Sequence, residues 1–333
     1  MNKEINILID GKKIAARKGT NLLQAARDNG FDIPGLCYHK KLSPTGACRL
    51  CVVKIEGQRG LIMACTVQVT DGMKVTAFDE ELEQLRRHTV DYLLAEHNDE
   101  YDGSYDDELR ELSQRYGLRK QENRSYHNIY KDLDFEVDDT SPVLTYDASK
   151  CIKCFRCIKA CYEVQGKNVL SFSQRGIKSH IIAGFDHWSE SECDGCGECI
   201  QLCPTGAIVE KPHRDEIKMD DIDRKVISTC PYCGVGCQIE LLVRNNKILR
   251  VNGAEGVMPN DGRLCVKGRF GYDYVADKER LRKPLIKRNG SFEEAGWDEA
   301  LDLVAEKLGG IKEKYGPSAL AGYASAKCTN EDN

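Results

Sequence analysis

The stretch CIKCFRCIKAC, Cys151 to Cys161, spaces four cysteines as C-x2-C-x2-C-x3-C, and CDGCGECIQLCP, Cys193 to Pro204, repeats that spacing 42 residues later. Seventeen cysteines occur in 333 residues, an odd number that cannot all pair as disulfides. Met1 to Gly11 has no apolar core of an export signal and no twin-arginine pair, and no run approaches the ~18 apolar residues of a membrane span. A reducing, cytoplasmic setting is therefore expected, where cysteines at such spacings serve as metal thiolates rather than disulfides.

The doubled run is that of the bacterial two-cluster ferredoxin, in which three close thiolates bind one [4Fe-4S] cluster and the fourth crosses to the other. By that logic Cys151, Cys154, Cys157 and Cys203 hold one cluster, and Cys193, Cys196, Cys199 and Cys161 hold the second. Tyr162 stands where a proline often follows the first run, but proline is not a ligand. Structural zinc is the alternative for four thiolates, and it usually draws two ligands from each of two knuckles. Three cysteines at successive two-residue spacing, twice over, suit the face of a cubic cluster better.

Working outward toward the N-terminus, Ile5, Ile7 and Ile9 alternate, the chain turns at Asp10-Gly11, and Ile14 resumes the pattern, so a β-hairpin is expected. A short helix follows, with Thr20 as its expected N-cap, Leu22, Leu23 and Ala26 on one face, and Gly30 at its C-terminal cap. Strands are expected at 51–55, 62–69 and 73–78, which makes a β-grasp order. Inside it Cys37, Cys48, Cys51 and Cys65 form C-x10-C-x2-C-x13-C. The first interval is longer than in plant-type ferredoxins, while the close pair and the distant fourth ligand are kept. This pattern resembles the N-terminal domain shared by the large iron–sulfur subunit of complex I, iron-only hydrogenases and NAD-linked formate dehydrogenases, and the resemblance implies a [2Fe-2S] cluster on these four cysteines. Pro34-Gly35 and Gly46 fit a loop whose backbone must come close to the sulfurs.

From Glu80 to His97, Leu82, Leu85, Val90, Leu93 and Leu94 recur at helical spacing. In the family just named, the helix here ends in a histidine followed by three cysteines that bind a further cluster. Only His97 matches. Tyr101, Ser104 and Arg110 fall where the cysteines would be, so that cluster is expected to be missing and His97 to be a polar residue at a helix end. The acidic stretch Asp99–Glu108 lacks the D-x-D-x-D-G spacing of a calcium loop and reads as a solvated connection. A second helix is expected through Leu109, Leu112 and Tyr116, then a polar linker over 120–141.

Beyond Val226 comes CPYCGVGC, with Cys230, Cys233 and Cys237, followed after 27 residues by Cys265 in LCVKGRFG. This resembles the N-terminal [4Fe-4S] module of the molybdopterin oxidoreductases, the family of formate dehydrogenases and periplasmic nitrate reductases. The resemblance implies that these four cysteines bind a third [4Fe-4S] cluster and that Lys267 lies between that cluster and a pterin. A fixed cation there stabilises an added electron and can donate hydrogen bonds to the pterin, and so contributes to catalysis and cofactor binding alike. RLRKPLIKRNGSFEEAGWDEAL, from Arg280, resembles the start of that family's pterin-binding domains. The ending SAKCTNEDN resembles a segment frequent in formate dehydrogenases. Cys328 has no cluster set to join and is expected to be a buried, inert thiol near the pterin.

The fold class expected is α+β and multidomain. Its parts are a β-grasp [2Fe-2S] domain (1–79), a helical segment with linker (80–141), a two-cluster ferredoxin-like domain (142–215), a [4Fe-4S] module (224–280) and the truncated start of α/β molybdopterin domains (281–333). Leu301, Val304, Leu308 and Ile311 predict a helix and Ser318–Tyr323 a buried strand, an α/β unit with nothing to cover it, so a truncated chain is expected. The formal charge of -5, from 48 basic and 53 acidic residues, argues against nucleic acid or anionic lipid as partner. Gly234-Val-Gly236 lacks the third glycine of a dinucleotide fingerprint. Any NAD is thus expected on another subunit. The resemblance implies a flavin- and NADH-binding iron–sulfur subunit, a small [2Fe-2S] subunit or ferredoxin, and molybdenum- or tungsten-bis-molybdopterin guanine dinucleotide in the complete enzyme.

Overall fold

The computed structural model describes residues 4–98, 100–118, 135–211 and 218–328. The expected linker lies outside the described residues as far as 134, as do the boundary at 215 and the last five residues of SAKCTNEDN.

Strands β1 (Glu4–Ile9) and β2 (Lys12–Arg17) form the expected hairpin, turning at Asp10 and Gly11, both with positive φ. That is the turn whose twist matches antiparallel strands. Helix α1 (Leu22–Asp28) is capped by Asn21 rather than Thr20: the Asn21 side chain accepts from the Gln24 amide at 3.2 Å. Thr20 is instead tied through its carbonyl to the Val69 amide at 2.8 Å, which leaves the next residue to cap. β3 (Val52–Ile55), β4 (Ile62–Met63) and β5 (Lys74–Thr76) complete a sheet in the order β2-β1-β5-β3-β4, with β5 parallel to β1. The strand expected over 62–69 stops at Met63, where a 3-10 turn, Ala64–Thr66, carries Cys65 inside the fold, fully buried. Ile5, Ile7, Ile9, Leu22, Leu23 and Val53 form the core between sheet and helix.

Helix α2 (Glu80–Ala95) is capped by Asp79 and fixed to the sheet by Arg86. Arg86 is fully buried. Its guanidinium donates to the carbonyls of Leu50 (3.2 Å), Val52 (2.7 Å) and Ala77 (2.8 Å), and to Glu83 (2.5 Å). Helix α3 (Glu108–Arg115) packs on α2, capped by Asp107.

The next unit folds as two similar halves. β6 (Leu144–Tyr146), α4 (Arg156–Lys159) and β7 (Leu170–Ser173) make one; β8 (His180–Ala183), α5 (Glu198–Gln201) and β9 (Ile208–Glu210) make the other. β6 pairs with β9 and β7 with β8, so each half closes its sheet with the other. β10 (Arg224–Thr229), β11 (Gln238–Arg244) and β12 (Lys247–Gly253) form an antiparallel meander against the short helix α6 (Val266–Phe270). A hairpin of β13 (Leu285–Arg288) and β14 (Ser291–Glu294) leads into α7 (Trp297–Tyr315). The apolar face read from the sequence is there, but Leu301, Val304 and Leu308 are exposed. The strand expected at Ser318–Tyr323 does not form. Pro317–Ala319 is a 3-10 turn and Tyr323 is wholly exposed, because no described strand offers this run its backbone partners. No described helix is long and apolar enough to cross a membrane.

Candidate metal centres

Cys37, Cys48, Cys51 and Cys65 are all buried and come together above the N-terminal sheet. The Cys65 amide lies 3.4 Å from the Cys51 sulfur, and Ala64 donates to the Cys51 carbonyl at 2.9 Å. Cys48 and Cys65 both donate to Cys37, which holds that thiol well below its usual range, while Cys48 and Cys65 are pushed up by their cysteine contacts and by burial. The loop reaches this packing because Gly46 takes a left-handed φ of 68° with Thr66 3.2 Å from where a Cβ would be.

In the paired unit the cysteines separate into two groups. Cys151, Cys154, Cys157 and Cys203 line one small apolar cavity with Tyr146, Ile181 and Pro204. Cys161, Cys193, Cys196 and Cys199 line another with Leu144, Val169 and Trp188. Each run of the sequence thus contributes its last cysteine to the other run's cavity. The two loops also match residue by residue. Lys153 and Phe155 have φ of 55° and 69°, and Gly195 and Gly197, at the same places in the second run, have 67° and 73°. Left-handed backbone at these points turns the amides toward the sulfurs. The Lys153 amide lies 3.4 Å from Cys151 Sγ, and after Asn168, also left-handed at 54°, the Val169 amide lies 3.3 Å from Cys161 Sγ. Burial pushes Cys154, Cys157 and Cys199 well up, so neutral thiols are favoured there until a metal replaces the protons.

Cys230, Cys233, Cys237 and Cys265 gather at the end of the meander, where the Cys230 amide donates to the Cys237 carbonyl at 2.8 Å. The Gly268 α-carbon faces Cys230, whose sulfur is 3.4 Å from where a Cβ would stand. Cys230 is pushed up by burial, while Lys267 pulls it down. The Lys267 ammonium is exposed and lies 6.0 Å from the Tyr232 ring centroid, on the same rim as the exposed Cys265. Cys328 is partly exposed rather than buried. Its segment packs by backbone against the Cys233–Cys237 loop, with Gly234 donating to the Ala326 carbonyl at 3.2 Å. That contact uses the main chain and leaves the thiol at the edge.

His97 lies two residues past α2, nearly buried, with Nδ1 2.9 Å from the Lys150 carbonyl. The Arg110 guanidinium stacks on Tyr101 at 4.0 Å, Ser104 Oγ donates to Asp102 at 2.6 Å, and the Lys150 ammonium sits 5.2 Å from the Tyr105 ring centroid.

Neighbouring cysteine sets are joined by packing. Cys37, Cys48 and Cys154 share one apolar cluster with Leu36 and Leu50; Cys157, Cys199 and Phe270 share the next. Two guanidiniums pin the junctions. Arg156, between Cys154 and Cys157, donates to the carbonyls of Tyr38 (2.9 Å) and Gly35 (3.4 Å), on either side of Cys37. Arg269, in α6, donates to the Cys196 carbonyl at 2.8 Å and to Gln201 at 2.7 Å. These junction residues carried no signal in the cysteine spacing. The only hint was a charged residue at the same position in CFRC and CGEC. Lys41 and His39 also reach Glu255 beyond β12, at 3.3 and 3.4 Å, joining the first cysteine loop to the last module.

Sulfur-only donor sets in apolar cavities, with backbone amides aimed at the sulfurs, fit iron–sulfur clusters. Among the described residues no three His, Cys, Asp or Glu close on a single-ion site, as sulfurs set round a cavity would not.

Residues 2–79 match a 2Fe-2S iron-sulfur cluster binding domain, 141–209 the ferredoxin-like domain of NADH-quinone oxidoreductase subunit 3, 223–277 the molybdopterin oxidoreductase Fe4S4 domain, and 280–333 the molybdopterin oxidoreductase family. The NADPH-Fe(3+) oxidoreductase subunit alpha of Geobacter sulfurreducens is 36% identical over 332 residues, which are 99% of this chain and 38% of that protein. A Staphylococcus aureus protein provisionally named a formate dehydrogenase is 28% identical over 377 aligned residues, covering 100% of this chain and 37% of that one. The chain thus spans under two fifths of the length of these curated relatives. A solved NAD+-reducing [NiFe]-hydrogenase in its H2-reduced state matches with a TM-score of 0.56 and 28% identity, over 62% of this chain and 88% of that one.

Proposed function

We propose, from the premise that this chain carries the iron–sulfur N-terminal region of the molybdopterin oxidoreductase family, that it is the electron-transferring portion of a formate dehydrogenase. Formate oxidation releases carbon dioxide, one proton and two electrons; the reverse reduces carbon dioxide. The proposed exchange is with NAD(P) or ferredoxin, through a flavin- and NADH-binding iron–sulfur subunit or a small [2Fe-2S] partner.

In this reading Cys37, Cys48, Cys51 and Cys65 hold a [2Fe-2S] cluster. Cys151, Cys154, Cys157 and Cys203 hold a [4Fe-4S] cluster, Cys161, Cys193, Cys196 and Cys199 a second, and Cys230, Cys233, Cys237 and Cys265 a third. When bound, the clusters supply one-electron carriers whose potentials depend on charge, hydrogen bonds to sulfur and burial. The protein keeps the sets in register through the Arg156 and Arg269 junctions and excludes water with Leu36, Trp188 and Phe270. By its place in the LCVKGRFG motif, Lys267 would lie between the Cys230 set and a molybdenum- or tungsten-bound pterin in the complete enzyme. The observation that supports the proposal is that neighbouring cysteine sets are joined by shared apolar packing and by the Arg156 and Arg269 bonds. The formate assignment is supported by SAKCTNEDN and by the Staphylococcus aureus relative.

A second reading, an electron conduit of an NADPH-linked or complex I-type enzyme, is favoured by the higher identity of the Geobacter sulfurreducens protein. Anaerobic reduction of a viologen dye by the native complex separates the two. The formate reading predicts that formate reduces and so colours the dye; colour with NADPH or NADH and none with formate would leave only the conduit.

A further inference from the structure

Arg156 and Glu198 occupy the same place in the two cysteine runs, between the second and third cysteine, at the first residue of α4 and of α5. Both side chains are buried, and their charges are opposite. Their surroundings differ as well. The partner of Arg156 is Glu108, which accepts from both Nη1 (2.5 Å) and Nη2 (3.0 Å) and whose side chain is 44% exposed. Water screens that carboxylate, while the guanidinium, inside the loop, acts on Cys154 at short range. The partner of Glu198 is Arg269, at 3.3 Å, and both are buried, so the Arg269 charge that reaches Cys196 and Cys199 is offset by a carboxylate that water does not screen. Lys41 and Glu255 act on Glu198 with opposite signs from further off. Gly197 locks this arrangement, because a Cβ there would lie 2.3 Å from Arg269 Cδ.

We propose that this substitution of charge at equivalent positions splits the potentials of the paired clusters, with the Arg156-side cluster (Cys151, Cys154, Cys157, Cys203) the more easily reduced and the Glu198-side cluster (Cys161, Cys193, Cys196, Cys199) the less. Adding an electron to a cluster makes it more negative, so a nearby cation whose counter-ion is screened by water stabilises the reduced form more than a fully buried ion pair does. An electron arriving from the Cys230 side is then drawn across the paired unit and rests next to the [2Fe-2S] loop. The inference rests on the ligand sets of the preceding subsection and assigns Arg156, Glu198 and Arg269 as residues that set potentials through charge rather than as ligands.

The test is an EPR-monitored redox titration of the native complex, unaltered and carrying Arg156→Gln, Arg156→Lys or Glu198→Gln, with iron content determined on each sample. Arg156→Gln is expected to lower the midpoint of one [4Fe-4S] cluster by at least a tenfold change in its reduction equilibrium, about 59 mV for one electron. Arg156→Lys, which keeps the charge, is expected to restore most of it. Glu198→Gln is expected to raise the midpoint of the other cluster, since Arg269 is left uncompensated, and so to narrow the gap. A purely structural role would lower iron content or broaden the spectra without this reversal of sign. Full iron content with midpoints unmoved by either charge change would overturn the inference. Samples with no [4Fe-4S] spectra would instead overturn the ligand sets on which it rests.

Discussion

Cys203→Ala is expected to damage the cluster bound by Cys151, Cys154 and Cys157, and to leave intact the one bound by Cys193, Cys196 and Cys199, although Cys203 belongs to their run. The sulfurs line separate cavities in that crossed grouping. Cys161→Ala should do the converse. The EPR spectrum of Cys203→Ala should therefore lack the same signal that Cys151→Ala lacks, and under the proposed function formate-driven dye reduction should fall to background. If Cys203→Ala instead resembled Cys193→Ala, each run would bind its own cluster and the crossed grouping would need redrawing.

Arg86→Ala is expected to cost about 3–5 kcal/mol, the usual range when one member of a buried, charged hydrogen-bond set is removed. Three carbonyls, of Leu50, Val52 and Ala77, lose their donor at once, and α2 loses its anchor on the N-terminal sheet. Against a domain stability of roughly 5–15 kcal/mol this is a large fraction. Urea unfolding should show a lowered midpoint with an unchanged slope. A loss below about 1 kcal/mol would mean that water satisfies those carbonyls, and that burial in the folded chain is less complete than described.

The parts of this architecture that could be read in the sequence are those fixed by local rules. Cysteine spacing is one, because the chain between Cys151 and Cys157 is too short for its sulfurs to leave the cavity they line. The Ile5 to Ile14 hairpin and the capped helix from Glu80 are others. What could not be read depends on partners far away in the chain. Ile62–Val69 has strand composition throughout, yet the need to turn Cys65 toward Cys51 ends the strand at Met63. Ser318–Tyr323 has the apolar content of a strand and no described neighbour to bond. Charged residues in cysteine loops would ordinarily be placed at the surface. Only the fold shows that Arg156 turns inward to the carbonyls beside Cys37, and that Glu198 meets an arginine 71 residues later. His97 shows the limit of resemblance, since one matching ligand says little when Tyr101, Ser104 and Arg110 stand where its companions would be.

The most direct test is a paired iron and acid-labile sulfide determination on the anaerobically purified holo chain. One [2Fe-2S] and three [4Fe-4S] clusters predict about 14 iron and about 14 sulfide per chain. About 18 of each would mean a further cluster beyond His97, and zinc in place of iron and sulfide would contradict the electron-carrying role altogether.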